Sequence, residues 1–478
     1  MILKLQGNLD AYEVESFARM LFPGISLGEA GDKNFVAVIE NYNKVEVAID
    51  LEGRKFKENI EEDNFASTTR AICKKLLKGF NVLTGKTNHW GILTGVRPIK
   101  FYRDLLDKGN SHEEVIRIME DKWAVDPKNS LFALDIAENQ RKEINKLSQN
   151  GISLYAGIPF CPTRCNYCTF VSNATKPGSS IIDDYLQALK REIEGIGKII
   201  AEKNLPLDTI YLGGGTPTIL TAKQIDFLMD VMAKNLPLKE GMEITCEGGR
   251  PDTLSKEKLS VLRSYNVNRI SVNPQSMIQE VLDKANRCHK VEEIITMASL
   301  AMEMGFIVNM DLIAGLKGDS FEGFKYSLDE LIRLDPHNIT VHSLTLKRGS
   351  RLYEEENTVL LGKDTQMERM IAYSREALSL SGYQPYYLYR NKGTIGNLDN
   401  TGYERDNTPC IYNIVMMEEV QSVISAGAGA VTRLNDDKGR LKRIFSLKLP
   451  LEYIKHPERI EKNLKEAGEF YENCIAAR

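Results

Sequence analysis

The fold is decided by one stretch near the middle of the chain, where residues 151–170 read GISLYAGIPFCPTRCNYCTF. An apolar run, Ile152–Ile158, leads into Cys161, Cys165 and Cys168 with the spacing Cys-x3-Cys-x2-Cys. A loop that follows a strand lies at the carboxyl end of that strand, where barrel proteins carry their chemistry. Three such thiolates can each bind one iron of a [4Fe–4S] cluster and leave the fourth iron open. Structural zinc usually takes four ligands, and no second cysteine pair occurs here. On spacing alone, zinc and three incidental thiols remain as alternatives.

The region around this stretch alternates apolar runs with amphipathic segments of helical period. The predicted strands are Ile152–Ile158, Thr209–Leu212, Met242–Cys246, Arg269–Val272, Ile307–Leu312 and Ile339–Ser343. The predicted helices between them cover about 181–203, 221–235, 253–265, 291–304 and 321–333. Repeated strand–helix units imply a parallel sheet with right-handed crossovers. Six units are too few for an eight-fold barrel, so the pattern predicts an α/β fold with a partial (β/α)6 TIM-like barrel. A doubly wound open sheet is the competing fold.

The flanking regions lack this alternation of strands and helices. The chain of 478 residues is long enough for several domains. Residues 1–148 predict an N-terminal α+β domain of unknown role, with a short strand, a hairpin and later helices. Residues 149–346 form the predicted barrel. Residues 347–478 predict a C-terminal, mostly helical extension, with helices near 364–380 and 414–424.

Composition and charge exclude several classes of function. Lys plus Arg is 62 and Asp plus Glu is 66, so the net charge of -4 gives no basic excess for a nucleic-acid partner. No run of 18 apolar residues occurs, so no membrane span is expected. The N-terminus does not read as a signal peptide, so we expect a cytoplasmic protein whose eight cysteines stay reduced.

Polar residues follow the later predicted strands at the same edge of the sheet. They are Gly213-Gly214-Gly215-Thr216, Glu247, Gln275, Asp311 and Thr345. Consecutive glycines let a ligand approach the backbone and leave N–H groups free to bind a carboxylate. A single buried carboxylate is often structural, but polar groups at five strand ends beside a cysteine loop indicate a site.

The motifs of this sequence resemble those of a known family. Cys161-x3-Cys165-x-Tyr167-Cys168 resembles the radical S-adenosylmethionine (SAM) signature, including the aromatic residue before the last cysteine. Motifs spread over about 150–435 resemble the oxygen-independent coproporphyrinogen III dehydrogenase (oxidase) family. These motifs are Tyr155-x-x-Ile158-Pro159-Phe160-Cys161, Gly213–Thr218, Asn273–Ser276, Arg287-x-His289, Asn309–Leu312 and Gly427–Ala430. Glu247–Asp252 and Pro274–Met277 are similar to its HemZ-type branch.

The resemblance implies a radical SAM barrel in which Cys161, Cys165 and Cys168 bind a [4Fe–4S] cluster. It also implies a set of residues that bind SAM, namely Tyr155, Tyr167, Gly214, Gly215, Thr216, Glu247, Gln275, Arg287, Asp311 and Thr345. Within this set, Glu247 would accept from the ammonium group and Arg287 would pair with the carboxylate. Gln275 and Asp311 would bind the ribose hydroxyls.

The implied activity is oxidative decarboxylation of propionate side chains to vinyl groups in porphyrin and haem biosynthesis. It needs a tetrapyrrole substrate and a reduced flavodoxin- or ferredoxin-type electron donor. The C-terminal region would complete the substrate site, and Arg348, Arg351 and Arg390 are candidates for pairing with substrate carboxylates. The alternatives are a haem-binding chaperone and a radical SAM enzyme that acts on haem. The histidine and tryptophan of the chaperone branch are missing from the corresponding stretch, 410–417.

Overall fold

A computed structural model describes the residues 1–7, 11–22, 24–28, 34–41, 44–60, 65–170, 172–345, 350, 364–391, 397–436 and 440–476. Arg348 and Arg351, two of the candidate substrate residues, lie outside the described residues. Within the part of the chain that the structure describes, no helix combines the length and the apolar character needed to cross a bilayer.

The helices of the described residues are Ala11–Leu21 (α1), Phe65–Thr84 (α2), Pro98–Asp107 (α3), His112–Trp123 (α4), Pro127–Ile144 (α5), Ser180–Glu202 (α6), Ala222–Asn235 (α7), Lys256–Ser264 (α8), Gln279–Lys284 (α9), Val291–Glu303 (α10), Phe321–Leu334 (α11), Asp364–Leu380 (α12), Ile411–Glu418 (α13), Pro450–Lys455 (α14) and Pro457–Ala476 (α15).

The strands are Ile2–Gln6 (β1), Ser26–Leu27 (β2), Phe35–Asn41 (β3), Lys44–Leu51 (β4), Arg54–Ile60 (β5), Ile152–Ile158 (β6), Phe160–Cys161 (β7), Asn173–Ala174 (β8), Leu207–Gly214 (β9), Glu243–Glu247 (β10), Arg269–Ser271 (β11), Ile307–Ala314 (β12), Asn338–Ser343 (β13), Gln384–Arg390 (β14), Asp399–Glu404 (β15), Ser422–Ala426 (β16), Val431–Asn435 (β17) and Leu441–Phe445 (β18).

The chain forms two compact units, one of Met1–Glu138 with Leu388–Asp399 and one of Asn139–Tyr387 with Asn400–Arg478. This division differs from the predicted division at residues 148 and 346, which stays a prediction. The first unit has a sheet in the order β2-β1-β3-β4-β5, with the expected hairpin at β3 and β4. The apolar sides of α1 and α2 supply Phe17, Ile72 and Leu76 to a core with this sheet.

The second unit contains the predicted barrel. Its six central strands are parallel and adjacent in chain order, β6-β9-β10-β11-β12-β13. The helices α6, α7, α8, α10 and α11 fall where the sequence predicts them, and the fold class is confirmed. The strands β14 to β18 in the C-terminal region were not predicted. Among them β16 adds to β6 in parallel, and β15 pairs antiparallel with β13.

The two faces of the parallel sheet differ in polarity. Apolar residues such as Leu154, Ile210 and Ile244 are paired in register and are buried on one face. The alternate positions are polar on all six strands. They include Ser153, Tyr155, Thr209, Tyr211, Thr245, Glu247, Ser271, Asn309, Asp311 and Thr340. TIM barrels usually fill their interior with bulky apolar side chains, so this polar face is unusual.

The short helix α13 is anchored to the amino end of β10. The Glu243 carboxylate accepts hydrogen bonds from the backbone N–H groups of Ile411 and Tyr412, each 2.8 Å long. A carboxylate at a helix N-terminus satisfies free N–H groups and interacts favourably with the helix dipole. Arg269 is 3.7 Å from Glu243 and also donates to the Thr408 carbonyl. These contacts fix α13. Groups at the amino ends of β10 and β11 therefore determine where the Tyr412 ring lies.

A buried carboxylate ties α6 to the C-terminal region. Glu192 is 3% exposed and accepts hydrogen bonds from the Tyr453 hydroxyl at 2.5 Å and the Gly427 N–H at 2.7 Å. The Tyr185 hydroxyl bonds the Gly157 carbonyl at 2.6 Å. Burial raises the pKa of Glu192 to about 7 although both hydrogen bonds favour the ionised form.

We expect Glu192→Gln to remove a pH-dependent loss of stability. The pKa of this carboxyl rises on folding from 4.5 to about 7. Its ionisation therefore lowers the unfolding free energy of the wild type, with no effect below pH 4.5 and the full effect above pH 7. The unfolding free energy of the variant minus that of the wild type should therefore increase by about 2 kcal/mol between pH 5 and pH 8. Urea unfolding at each pH measures this difference.

The control is Glu194→Gln on the same helix, whose side chain is 38% exposed. Its difference from the wild type should stay nearly constant over the same pH range. A constant difference for Glu192→Gln as well would contradict the assignment.

Candidate active site

The three cysteines lie in the loop that follows β6. Cys161 ends β7, which pairs with β8, and its thiol is buried, whereas Cys165 and Cys168 are half-buried. Burial raises the pKa of Cys168 to about 11, and the neighbouring Cys165 and Cys161 act in the same direction. Burial raises the pKa of Cys161 too, again with a contribution from Cys165. The three thiols are therefore within electrostatic reach of one another.

The second half of this loop is held by the turn after α9. The backbone N–H of Asn166 donates to the Ala285 carbonyl at 3.1 Å, and its side chain donates to the Lys284 carbonyl at 2.9 Å. The side chain of Asn286 donates back to the Arg164 carbonyl at 2.7 Å. Three hydrogen bonds to sequence-distant groups thus fix the segment that carries Cys165.

Arg287 joins the cysteine loop to two strand ends. It is 4% exposed, and its guanidinium donates to the Tyr167 hydroxyl at 3.2 Å and contacts the Cys165 sulfur at 3.9 Å. It also donates to the carbonyls of Gly249, after β10, and Asn273, after β11. Its Nε has no hydrogen-bond partner. A fork of donors can hold several acceptors at once, which suits an arginine at this junction.

The glycine run packs directly against the first cysteine. Gly215 N–H donates to the Ile158 carbonyl at 2.9 Å, and Thr216 N–H donates to the Phe160 carbonyl at 2.8 Å. The Thr216 hydroxyl is 3.5 Å from the Cys161 sulfur. A Cβ on Gly215 would stand 2.5 Å from the Phe160 carbonyl oxygen and 2.9 Å from the Cys161 sulfur. Only glycine fits this position.

Glu247 lies next to the glycine run. It accepts hydrogen bonds from the Tyr211 hydroxyl at 2.6 Å and from the Gly214 N–H at 3.3 Å. Burial, aided by the negative charge of Asp311, raises the pKa of Glu247 to about 7, although the Tyr211 bond opposes this shift. The carboxylate can therefore gain or lose a proton near neutral pH.

Gln275 and Asp311 are brought together at the next strand ends. The backbone N–H of Gln275 donates to the Asp311 carbonyl at 2.8 Å, and the side chain of Asn309 donates to the Asp311 carboxylate at 2.7 Å. His342 Nε2 is 3.7 Å from the same carboxylate. Gln275 is 9% exposed with φ +70°, a backbone conformation that non-glycine residues rarely adopt, and its Oε1 has no partner. A strained backbone together with a buried amide oxygen that has no partner is typical of a binding site.

The remaining predicted residues lie at different places. Thr345 follows β13, and its hydroxyl donates to the Ser343 carbonyl at 3.3 Å. Arg390 belongs to the first unit, where it is 3% exposed and its guanidinium donates to the Leu93 carbonyl and the Asn397 side chain. Burial lowers the pKa of Arg390 to about 10. Its contacts are those of a structural arginine, and its role with a substrate stays a prediction.

Sequence analysis missed an aromatic cluster on the polar face of the sheet. The rings of Tyr211 and Tyr412 are stacked with centroids 4.3 Å apart and planes 20° from parallel. Tyr155 lies beside both, with centroids 6.3 and 6.4 Å away. Tyr211 was detectable as the position that shares the face of Tyr155 in the next strand. Tyr412 was not, because its place depends on the anchoring of α13.

These residues fit a cluster and a polar ligand. Within the described ranges, no three His, Cys, Asp or Glu side chains converge on a point that could hold a single metal ion. A [4Fe–4S] cluster takes one cysteine per iron, so its three thiols surround a volume rather than a point. Gln275 Oε1, Asn273 Oδ1 and Arg287 Nε are buried without partners at the strand ends. Unpartnered buried polar atoms are costly, and a ligand would satisfy them.

Comparisons with known proteins identify the superfamily and the relatives of this chain. The family model of the radical SAM superfamily matches residues 155–331. The oxygen-independent coproporphyrinogen-III oxidase-like protein HemZ of Bacillus subtilis (strain 168) is 35% identical over 479 residues, covering 95% of each chain. The heme chaperone HemW of the same organism is 35% identical over 202 residues, which cover 42% of this chain and 52% of that protein.

The solved structure of coproporphyrinogen III oxidase (HemN) from Escherichia coli, described as a radical SAM enzyme, has the same fold. Its TM-score is 0.54 at 23% identity, with 68% of this chain and 73% of that chain covered.

We expect Gly215→Ala to lower the iron content of the protein. The new methyl group would collide with the Phe160 carbonyl and the Cys161 sulfur, so β7 must move away from the glycine run. Iron and sulfide bound per chain after anaerobic reconstitution should fall by half or more. Gly468→Ala is the matched control, because a Cβ there meets nothing within 4 Å and alanine favours a helix. Equal iron in both variants would show that the tight contact does not matter.

Proposed function

Because the chain belongs to the HemZ family of oxygen-independent coproporphyrinogen-III oxidase-like proteins within the radical SAM superfamily, we propose that it oxidatively decarboxylates propionate side chains of a coproporphyrinogen to vinyl groups. The family uses a [4Fe–4S] cluster and SAM, which supply, when bound, an electron of low potential and a 5′-deoxyadenosyl radical for hydrogen abstraction. The observation that carries the proposal is the Arg287 guanidinium, which joins the cysteine loop to the ends of β10 and β11.

In this proposal each cysteine of the loop binds one iron. Arg287 stands beside Cys165 with a free Nε, and it pairs with the carboxylate of SAM. Glu247 accepts a hydrogen bond from the ammonium group of SAM. The positive charge of that group favours the ionised form of the carboxylate, whereas burial opposes it.

The other proposed contacts follow the strand order. Gln275 and Asp311 bind the ribose hydroxyls, and the unpartnered Oε1 of Gln275 supports this role. Thr345 lies near adenine. The methionine end lies along the glycine run, beside Gly214, Gly215 and Thr216. Tyr155 and Tyr167 border the nucleoside and the cluster.

The proposed substrate is a tetrapyrrole with several carboxylates, which requires cationic partners. Arg348 and Arg351 remain candidates for this task, although they lie outside the described residues. The proposed reductant is a flavodoxin- or ferredoxin-type protein. Each decarboxylation also releases one electron from the substrate, so the reaction requires an electron acceptor as well. We place the reaction in the cytoplasm, because the proposed cluster is sensitive to oxygen.

A second function, haem binding as a chaperone, is supported by the relatives named heme chaperone HemW. Their match covers 42% of this chain for the Bacillus subtilis protein and 63% for the Escherichia coli protein. Cys410 is a poor ligand for haem iron, because it is buried and its sulfur faces the Glu243 carboxylate at 3.5 Å. Burial raises the pKa of Cys410 to about 12.

One anaerobic experiment tests these functions together. The reconstituted protein, reductant and SAM are incubated with coproporphyrinogen III or with haem, and products are analysed by mass spectrometry. We expect loss of carbon dioxide and a vinyl product from coproporphyrinogen III. Stable haem binding without turnover of coproporphyrinogen III would favour the chaperone, and a modified haem would favour an enzyme that acts on haem. Cys165→Ser should abolish turnover, whereas Cys288→Ser, which changes an exposed thiol, should retain it.

Arg287→Lys should weaken SAM binding about tenfold, because lysine keeps the charge but cannot hold several acceptors as a planar fork. Titration calorimetry on the iron-loaded protein measures the Kd. Arg333→Lys, at a side chain that is 71% exposed, serves as the control and should bind like the wild type. Unchanged affinity in Arg287→Lys with full iron content would contradict the role of Arg287.

A further inference from the structure

The Glu247 carboxylate has few partners in a place that disfavours its charge. Its Oε1 accepts from the Tyr211 hydroxyl at 2.6 Å, and its Oε2 accepts a longer bond of 3.3 Å from the Gly214 N–H. Asp311 repels the ionised form, and burial opposes it. The Tyr211 bond is therefore the strongest local interaction that keeps this carboxylate ionised and fixes its orientation.

The Tyr211 hydroxyl cannot easily move. Its ring is stacked on Tyr412 at 4.3 Å and lies nearly parallel to Tyr155 at 6.3 Å. Above it, a Cβ on Gly213 would stand 2.9 Å from the Tyr211 ring and 3.0 Å from the Glu247 carboxylate. The close packing of the ring, the glycine and the carboxylate pre-organises the hydrogen bond.

Burial keeps four titratable groups around Glu247 in their neutral form. Burial raises the pKa of the tyrosines at 155, 211 and 412 well above neutral, and it raises the pKa of Cys246 to about 12. These four groups stay neutral at physiological pH. Asp311 adds negative charge, and His342 faces Asp311 rather than Glu247.

We propose that Tyr211 is a positioning residue whose hydroxyl orients the Glu247 carboxylate to receive the ammonium group of SAM. The inference rests on the proposed function. Tyr211 holds Oε1. The Oε2 atom accepts only a weak bond from the Gly214 N–H, so it can accept a hydrogen bond from the incoming ammonium group. Neither the cysteine signature nor the glycine run contains this tyrosine, so it adds a positioning residue to the site.

The chain supplies a matched control for the test. The Tyr412 hydroxyl is buried and has no hydrogen-bond partner, although its ring is stacked on Tyr211. Tyr211→Phe and Tyr412→Phe therefore remove the same atom from adjacent rings, and they differ in whether that atom bonds a carboxylate. Removing an unpartnered hydroxyl should leave binding unchanged.

The experiment measures the Kd for SAM by titration calorimetry on full-length, iron-loaded protein between pH 6 and pH 8. We expect Tyr211→Phe to weaken binding about tenfold at pH 6 and about twofold at pH 8, because the loss of the hydrogen bond raises the pKa of Glu247 by about one unit. The titration of the ligand itself is common to all variants and cancels in each ratio. Tyr412→Phe should stay within about twofold of the wild type at every pH.

A double substitution separates the carboxylate from the packing of the ring. In a Glu247→Gln background, Tyr211→Phe should cause no further loss of affinity, because the group through which it acts is already neutral. A tenfold loss in that background would overturn the inference, and so would wild-type affinity in Tyr211→Phe or an equal loss in Tyr412→Phe. If Tyr211→Phe does not fold, the Kd of Glu247→Gln divided by that of the wild type decides. This ratio should rise about tenfold between pH 6 and pH 8 as the wild-type carboxylate ionises, and a constant ratio overturns the inference.

The two proposals fail in different ways. Wild-type protein that holds its iron but binds no SAM at any pH would overturn the proposed function and this inference with it. Wild-type binding together with unaltered Tyr211→Phe would overturn the inference alone. Iron content and thermal unfolding of each variant show that the compared proteins are equally loaded and folded.

Discussion

The backbone pairing between the end of β6 and the glycine run organises the site. The hydrogen bonds from Gly215 to Ile158 and from Thr216 to Phe160 continue the parallel sheet beyond its last regular residues. They bring Cys161 against a stretch of chain that has no side chains to keep it away. The same pairing places Tyr211 beside Tyr155 and under Gly213. The positions of the cysteine loop, the glycine run and the Tyr155–Tyr211 pair are therefore consequences of one strand register.

A second constraint is the distribution of polarity across the sheet. Residues such as Leu154 and Ile210 bury one face, and this burial supplies the hydrophobic contribution to folding. The other face carries polar and charged groups, which are costly to bury without partners. Short local networks reduce this cost, as between Asn309 and Asp311, while atoms such as Gln275 Oε1 stay unpartnered. A fold that keeps such groups at its strand ends is suited to a polar ligand.

Much of this arrangement could be predicted from the chain alone. The barrel strands and helices were placed to within a few residues, because period-2 and period-3.6 patterns are local properties. The prediction also named Arg287 and Glu247, although by resemblance rather than by geometry. It missed the stacking of Tyr412 on Tyr211 and the pairing of β16 with β6, which join segments more than a hundred residues apart in sequence. Arg390, named as a candidate substrate residue, donates to the Leu93 carbonyl and the Asn397 side chain within the first unit, and its role with a substrate stays a prediction.

Local sequence accounts for the cysteine spacing, the glycine run and the alternation of strands and helices, because each is set by residues close together in the chain. Tertiary structure alone decided that Arg287 reaches Cys165, that Glu243 anchors the helix of Tyr412, and that the Tyr211 hydroxyl meets Glu247. Such contacts depend on strand register and on the packing of distant segments. Short-range patterns carry no direct record of either, so the contacts among the side chains at the strand ends became visible only in the folded chain.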